Sequence, residues 1–158
     1  MVLNNITHAW DKACKVANRL EMEWRPLGKI LRDQHGKLLF PKTERCPAIY
    51  RFRIRYTDSE AIYIGETDNL KRRFGNYRNP GPSQKTSLRI NAILNRATEK
   101  KAEIAVSVVV ENALITRENK TEIADLSSKF VRCIFENAAI LESETTNVEI
   151  LNKVKTQT

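Results

Sequence analysis

The segment AIYRFRIRYTDSEAIYIGETDNLKRRFGNYR, residues 48–78, decides the fold of this chain. Apolar and basic residues alternate over residues 48–56, which indicates a β-strand with one buried face. Residues 57–60 read Thr-Asp-Ser-Glu, the composition of a turn, and the apolar run at 61–65 predicts a second strand. We therefore expect the two strands to form an antiparallel hairpin.

A helix is expected directly after this hairpin. Residues 69–77 carry apolar side chains at spacings of four and three on one face, and Thr67 or Asp68 can cap the first turn. The sequence Asn-Pro-Gly-Pro-Ser at 79–83 then ends the helix.

Three further elements complete the domain. A second helix begins at Thr86 or Ser87 and has a basic face, and the β-branched residues of 104–110 predict a third, central strand. Residues 112–120 are expected to form a loop or an irregular extension of that strand, and a last helix, whose start could lie as early as Thr121, covers 128–142. The expected core face of that helix consists of Phe130, Ile134, Ala138 and Leu141.

The N-terminal part has a different pattern. Apolar residues recur at steps of three and four over residues 5–22, which predicts an amphipathic helix. Short apolar runs at 30–31 and 38–40 flank Asp-Gln-His-Gly at 33–36, which favours a small hairpin.

These elements define one α+β domain. We expect a small three-stranded antiparallel sheet flanked by helices over residues 47–158, and residues 1–46 form a helical extension that precedes it. With 158 residues, of which 41% are hydrophobic and 29% charged, the chain is long enough for one core and differs from collagen-like and disordered chains.

Composition also bears on location and on metal chemistry. No apolar stretch approaches the roughly 20 residues of a membrane span, and charged residues interrupt Met1–Leu20, unlike a signal peptide. We therefore expect a cytoplasmic protein with no membrane contact. The three cysteines lie far apart and are expected to be reduced thiols rather than zinc ligands, and the two histidines argue against histidine-based catalysis.

The net charge of +8 is concentrated in residues 71–101. This segment holds nine of the 27 basic residues and one of the 19 acidic residues, so the remainder, 18 basic and 18 acidic, is balanced. Such a face, with aromatic residues interleaved, suits a nucleic acid; the alternative is a solvated helix face. The residues expected to contact nucleic acid are Lys71, Arg72, Arg78, Lys85, Arg89 and Arg96.

Two tripeptides and one arginine give the segment a family resemblance. Ala48-Ile49-Tyr50 and Tyr63-Ile64-Gly65 place two tyrosines 13 residues apart, and Arg73 follows Gly65 by eight residues. This joint pattern resembles the GIY-YIG nuclease family, which includes phage homing endonucleases, an incision domain of bacterial excision repair and several restriction enzymes. The resemblance extends over roughly residues 47–155, and no part of 1–46 shares it.

The resemblance implies roles for the residues of the hairpin and the first helix. Tyr50 would orient or deprotonate the attacking water, Tyr63 would contact the scissile phosphate, and Arg73 would stabilise charge on it. Tyr77 stands where the family often carries tyrosine or histidine. Physical chemistry supports a guanidinium at the phosphate, whereas a phenol with a pKa near 10 is a poor base unless a cation lies close to it.

The resemblance also implies a metal ligand and a late asparagine. Glu136, on the last helix, would hold one Mg²⁺ or Mn²⁺, and a hard cation of this kind meets negative charge on phosphoryl oxygens. Glu142 and Glu144 are alternatives, and Glu136 could instead pair with Arg132. The late asparagine is Asn147 or Asn152, and Asn152 is favoured.

Two positions depart from the family pattern. Ala48 replaces the first glycine of the family name, which a strand accepts without strain. Glu66 stands where some relatives carry a lysine, so a lysine-assisted tyrosine is not available there.

The leading hypothesis is a metal-dependent DNA endonuclease with a tyrosine, arginine and glutamate active site. One active site cuts one strand, so cleavage of both strands would require a homodimer or two successive binding events. The residues leave RNA open as an alternative substrate. A non-catalytic nucleic-acid-binding module that keeps the fold is the alternative from another functional class.

Overall fold

A five-stranded sheet is the centre of the computed structural model, which describes residues 14–153. In chain order the strands are β1 (Arg19–Met22), β2 (Arg25–Lys29), β3 (Leu31–Arg32), β4 (Leu38–Leu39), β5 (Ala48–Arg55), β6 (Glu60–Thr67), β7 (Glu103–Val109), β8 (Ala113–Arg117), β9 (Lys120–Ile123) and β10 (Glu149–Ile150). The helices are α1 (Leu70–Arg78), α2 (Lys85–Glu99) and α3 (Lys129–Ser143). The main sheet has the order β10-β6-β5-β7-β2, a second sheet has the order β1-β8-β9, and β3 pairs with β4.

The predicted hairpin of β5 and β6 is confirmed, and it lies at the middle of the main sheet. β5 pairs antiparallel with both β6 and β7, whereas β10 pairs parallel with the outer edge of β6. β7 lies inside the sheet, as expected, because β5 pairs with one of its edges and β2 with the other, while β5 takes the middle position. The sheet has five strands rather than the three expected.

Both faces of the main sheet are covered. Phe52 faces a core completed by α1 and α2, and Ile49 faces a second core that contains Phe135 of α3. The prediction of a single buried face for β5 is wrong, because its arginines can lie among apolar residues when their heads find partners. Arg51 does so by stacking on Trp24, with its guanidinium carbon 4.6 Å from the ring centroid.

The N-terminal helix is not seen within the described residues. Residues 1–13 lie outside them, and residues 19–22 of the expected helix instead form β1, which pairs antiparallel with β8. The loop expected at 112–120 is also wrong, because β8 and β9 form a hairpin there. β1 is stabilised by pairing with a distant part of the chain, which local periodicity cannot detect.

Helix α3 forms where it was expected, but its buried face was predicted wrongly. Phe130 and Leu141 are exposed, at 84% and 67%, and Ile134 is also exposed. The side chains that face inward are Phe135 and, with only 5% exposure, Arg132. The buried face of α3 includes an arginine, so it differs from the face that the apolar residues alone predict.

The remaining local predictions are largely confirmed. The small hairpin appears as β3 and β4, and α1 follows the main hairpin. Its N-cap is Asn69 rather than Thr67 or Asp68, since the Asn69 side-chain oxygen accepts a hydrogen bond from the Arg72 amide at 3.0 Å. Within residues 14–153 no helix is both long and apolar enough to cross a membrane.

Candidate active site

Three tyrosines and one arginine form a hydrogen-bonded cluster between the main sheet and α1. The hydroxyl oxygens of Tyr50 and Tyr77 are 2.6 Å apart, and the Tyr77 hydroxyl lies 3.4 Å from that of Tyr63. Arg73 donates its Nε–H to the Tyr50 hydroxyl at 3.1 Å. We call these four side chains the tyrosine-arginine cluster. The structure thus brings together all the predicted site residues of the hairpin and α1.

The backbone explains why these side chains meet. β5 and β6 pair so that Phe52 lies opposite Tyr63, and Tyr50 is two residues from Phe52, on the same face of the sheet. Arg73 and Tyr77 are four residues apart on α1, so their side chains are stacked. The Arg73 guanidinium carbon lies 5.0 Å from the centroid of the Tyr77 ring, which adds a cation-π contact.

Burial decides which members of the cluster are charged. Tyr50 and Tyr77 are fully buried, and this burial, together with the neighbouring phenols, raises the pKa of both far above the ordinary tyrosine value. Burial alone would lower the pKa of Arg73, but the adjacent phenols raise it, and the net change is upward. Arg73 is therefore a guanidinium cation beside the neutral phenols of Tyr50 and Tyr77, neither of which neutralises its charge.

The two predicted site residues near the C-terminus, Asn152 and Glu136, lie along the outer edge of β6. β10 pairs with this edge only at residues 61–62, and the Leu151 amide then donates to the Ile62 carbonyl at 2.8 Å. The side chain of Asn152 continues the ladder, since its Oδ1 accepts from the Ile64 amide at 2.9 Å and its Nδ2 donates to the Ile64 carbonyl at 2.6 Å. Asn152 therefore lies beside the cluster and holds the strand that carries Tyr63.

Glu136 occupies the next position along the same edge. The charge of the nearby Arg73 and the backbone amide of Glu66 both lower the pKa of its carboxyl group. Burial and then the charge of Glu66 act in the opposite direction and dominate, so the pKa of Glu136 is raised above the ordinary glutamate value. Glu136 is thus a half-buried carboxylate that lies close enough to Arg73 to interact with its positive charge.

The alternatives to Glu136 and Asn152 lie elsewhere. Glu142 is exposed and lines a cavity of about 640 Å³ together with Arg51, which belongs to the other face of β5. Glu144 forms an ion pair with Lys153, with a nitrogen to oxygen distance of 2.5 Å. Asn147 is exposed in the segment between α3 and β10.

A buried ion pair that the sequence did not suggest lies next to Glu136. Arg132 donates its Nε–H to Glu66 at 2.6 Å, and its Nη1 donates to the carbonyls of Leu126 and Ser127, both at 2.9 Å. Arg132 thus pairs with Glu66 and not with Glu136. In the sequence, Glu66 departs from the family pattern and Arg132 lies one turn before Glu136. Neither observation indicates that these two residues form an ion pair with each other.

A polar groove of about 300 Å³ opens beside Arg73. It is lined by cations from α1 and from the start of α3, and by two carboxylates that pair with some of them. Arg132 is paired with Glu66, as described above. Lys129, at the first position of α3, was not predicted from the sequence and lies across the groove from α1. The lining residues are Glu66, Thr67, Asp68, Arg72, Arg73, Asn76, Lys129 and Arg132.

The six predicted nucleic-acid contacts are divided between α1 and α2. Arg72 pairs with Asp68 at 2.5 Å, and Arg78 pairs with Asp33 at 2.8 Å. Arg89 donates to the Leu151 carbonyl at 3.0 Å. The other three, which are exposed, are Lys71, Lys85 and Arg96.

The donor set near Arg73 suits a hard cation held by few protein ligands. Within residues 14–153 no group of three or more His, Cys, Asp and Glu side chains could hold a metal. Mg²⁺, however, is commonly bound by one or two carboxylates, with waters and substrate phosphates as its other ligands. Glu136 fits that role, because a divalent cation would offset both its burial and the charge of Glu66.

Comparison with known proteins identifies the segment that carries the cluster. Residues 46–122 match the family described as the GIY-YIG catalytic domain. This match contains Tyr50, Tyr63 and Arg73 and ends before Glu136. Among solved structures, a mutant of bacteriophage T4 EndoII is similar, with a TM-score of 0.47 and 20% identity over 79% of this chain and 89% of that chain. No curated protein matches the chain.

Proposed function

Residues 46–122 of this chain are a GIY-YIG catalytic domain, and from this premise we propose that the protein is an endonuclease that hydrolyses phosphodiester bonds in DNA. The observation that carries the proposal is the Arg73 guanidinium, held by the neutral Tyr50 phenol and close to the Glu136 carboxylate. A fixed cation beside a metal-binding carboxylate is the arrangement that phosphodiester hydrolysis requires.

Arg73 would bind the scissile phosphate. As water attacks the phosphorus atom, negative charge grows on the phosphoryl oxygens, and a cation that is already in place stabilises that charge without reorganisation. The bond from phosphorus to the 3′ oxygen then breaks, and the leaving oxygen takes up a proton. The products are a 5′-phosphate and a 3′-hydroxyl, as the family resemblance implies.

Tyr50 would position Arg73 rather than deprotonate the water. Its hydroxyl is fully buried and already bonded to Arg73 and Tyr77, and its pKa is raised. A phenol that resists ionisation is a poor general base near neutral pH. Tyr63 is the most accessible phenol of the cluster, with 6% exposure, and we assign it the contact with the scissile phosphate.

Glu136 would hold a Mg²⁺ or Mn²⁺ ion. When bound there, the ion supplies positive charge for the phosphoryl oxygens and lowers the pKa of a bound water. Asn152 would keep the β6 edge in register, because both polar groups of its side chain are bonded to Ile64. In this proposal Asn152 is a positioning residue.

A plasmid-nicking assay with Mg²⁺ or Mn²⁺ tests the proposal. We expect wild type to nick supercoiled DNA, and Arg73→Ala and Glu136→Gln each to lower the rate at least about 100-fold, the scale of losing one charge-stabilising group. Glu142→Gln is the matched control, since Glu142 is exposed on the same helix, and should retain the rate.

The same assay separates the alternatives. Binding of DNA by wild type without nicking in either metal would favour a non-catalytic binding module and overturn the proposal. An RNA duplex and single-stranded RNA of the same sequence are assayed in parallel. Faster hydrolysis of RNA than of DNA would change the substrate but keep the residue roles.

A further inference from the structure

A second basic groove, separate from the one beside Arg73, lies between α2 and the chain around β10. It encloses about 410 Å³ and shares no lining residue with the groove beside Arg73. Its lining contains four cations and one carboxylate, together with one tyrosine and two aliphatic residues. We call it the α2–β10 groove; its residues are Tyr56, Arg89, Ile93, Arg96, Lys100, Glu149, Leu151 and Lys153.

Two of the four cations have structural partners, and two extend toward solvent. Arg89 donates to the Leu151 carbonyl, which fixes α2 to β10, and Lys153 pairs with Glu144. Arg96 is exposed in the last turn of α2, and Lys100 is exposed at the C-cap of that helix. The Lys100 ammonium lies 6.0 Å from the centroid of the Tyr56 ring. Arg96 and Lys100 can therefore contact an anionic partner without breaking an ion pair of the fold.

The groove lies along the same sheet edge as the proposed catalytic residues. Leu151, which lines the groove, donates its amide to the Ile62 carbonyl, and the backbone of Glu66, farther along β6, lies close enough to Glu136 to lower the pKa of its carboxyl group. Asn152 bridges the interval between them by bonding to Ile64. Four residues of strand separate Ile62 from Glu66, which is about 13 Å at roughly 3.3 Å per residue.

This spacing suits a continuous polyanion. A DNA strand carries phosphates along its whole length, so one duplex that follows this edge can present phosphates both to the groove and to the catalytic residues. Arginine and lysine on one helix face are the side chains that bind phosphates without reading base sequence. An isolated acidic peptide would explain the charge of the groove but not its alignment with the catalytic edge.

We propose that the α2–β10 groove binds the phosphate backbone of the same DNA duplex that is cut at Arg73, at nucleotides outside the scissile bond. This inference rests on the proposed function, which identifies the ligand as DNA and places the cut at Arg73. The contact is to backbone, so it contributes affinity and not sequence preference.

Binding measured without cleavage tests this inference. Wild type, the double variant Arg96→Ala/Lys100→Ala and the control Arg117→Ala/Lys120→Ala are titrated with a fluorescent duplex of about two helical turns in the presence of EDTA. The control removes two exposed cations from the β8–β9 hairpin. We expect the groove variant to bind about tenfold more weakly and its salt slope to fall by about two, since each neutralised phosphate contributes about 0.9.

A charge-preserving variant and a rate measurement complete the test. Arg96→Lys/Lys100→Arg should restore binding, and thermal unfolding should be unchanged because both side chains are exposed. At saturating DNA and Mg²⁺, the groove variant should nick at the wild-type rate, so that the effect lies in KM and not in kcat. Binding equal to wild type, a loss no larger than in the control, or a fall in kcat at unchanged Kd would each overturn the inference.

The two proposals fail in different ways. If wild type does not cut but the groove variant still loses affinity and salt slope, the nuclease assignment falls and the backbone-binding groove remains. If wild type cuts and the groove variant binds normally, the groove is a solvated helix face and the nuclease assignment remains.

Discussion

The phenol of Tyr50 lies across the backbone of Gly65. A β-carbon placed on Gly65 would be 2.2 Å from the Tyr50 hydroxyl oxygen and 2.3 Å from the ring carbon that bears it. The two residues are paired across β5 and β6, and the Tyr50 ring fills the space that a side chain at position 65 would occupy. This is how the hydroxyl reaches Arg73, and it gives the glycine of the second tripeptide a steric reason.

Gly65→Ala should therefore disrupt the cluster. The Tyr50 ring is buried on every side and cannot move away cheaply, so we expect a loss of about 1–3 kcal/mol in the free energy of unfolding, the usual range for overpacking. Because Arg73 loses its support, nicking should fall at least about tenfold, the rate factor of roughly 1.4 kcal/mol. Urea unfolding and plasmid nicking measure the two effects.

Gly75→Ala is the matched control for that change. A β-carbon at Gly75 would meet nothing within 4 Å, and the residue lies inside α1. Alanine there should stabilise the protein by about 0.5–1 kcal/mol. Equal stability of the two variants would show that Gly65 is not required for space.

Tyr50→Phe separates positioning from base catalysis. The ring remains, but Arg73 and Tyr77 each lose a hydrogen-bond partner in a buried site, which should lower the free energy of unfolding by about 1–3 kcal/mol. If Tyr50 positions Arg73, kcat falls while the shape of its pH profile stays the same. Loss of the rise in kcat with pH in Tyr50→Phe would contradict this role and restore Tyr50 as the base.

The raised pKa values of Tyr50 and Tyr77 predict a loss of stability at alkaline pH. In the unfolded chain both phenols ionise near pH 10, whereas in the folded protein they stay protonated to higher pH. Above about pH 10 the folded protein binds more protons than the unfolded chain, so the free energy of unfolding falls as the pH rises. Urea unfolding on both sides of that pH should show a smaller decline in Tyr50→Phe/Tyr77→Phe than in wild type.

Glu136→Gln should abolish nicking without weakening the fold. The pKa of Glu136 is raised, so below the ordinary glutamate pKa the folded state is favoured, and that stabilisation is lost as the pH rises through the folded value. At neutral pH the ionised carboxylate therefore opposes folding, and a neutral amide of the same shape relieves this. Urea unfolding with EDTA should give Glu136→Gln a stability equal to or above wild type, while Glu142→Gln is unchanged. A clear loss of stability in Glu136→Gln would assign it a structural role.

The elements that were predictable from sequence are those whose signals are local. The alternation in β5, the turn at 57–60 and the apolar spacing in α1 lie within a few residues of one another. β1 has no such signal, because its stability comes from pairing with the distant strand β8, whereas β8 and β9 form a local hairpin that the sequence signals poorly. The turn between β8 and β9 illustrates the difficulty, since Glu118 and Asn119 both have positive φ, 46° and 63°, and glutamate is not typical of such a turn.

The site was predictable only as far as the family motif extends. Tyr50, Tyr63 and Arg73 follow from the two tripeptides, and the structure brings them together. Lys129 gave no signal, because a lysine at the first position of a helix is ordinary. Arg132 was hidden by the assumption that apolar residues define the inner face of α3, although a buried arginine is compatible with that face when its donors are all engaged.

Arg132 should be essential to the fold through its pairing with Glu66. Its side chain is 6% exposed, and it makes the ion pair and the two bonds to the carbonyls of Leu126 and Ser127. Arg132→Ala leaves a half-buried carboxylate and two carbonyls without their donor, so we expect a loss of about 3–5 kcal/mol, the range for breaking a buried pair. Arg72→Ala breaks an exposed pair with Asp68 and should change stability by about 1 kcal/mol or less. Urea unfolding compares them directly. Similar small effects in both variants would mean that the Glu66 pair does not hold α3 in place, and the position of Glu136 would then need another explanation.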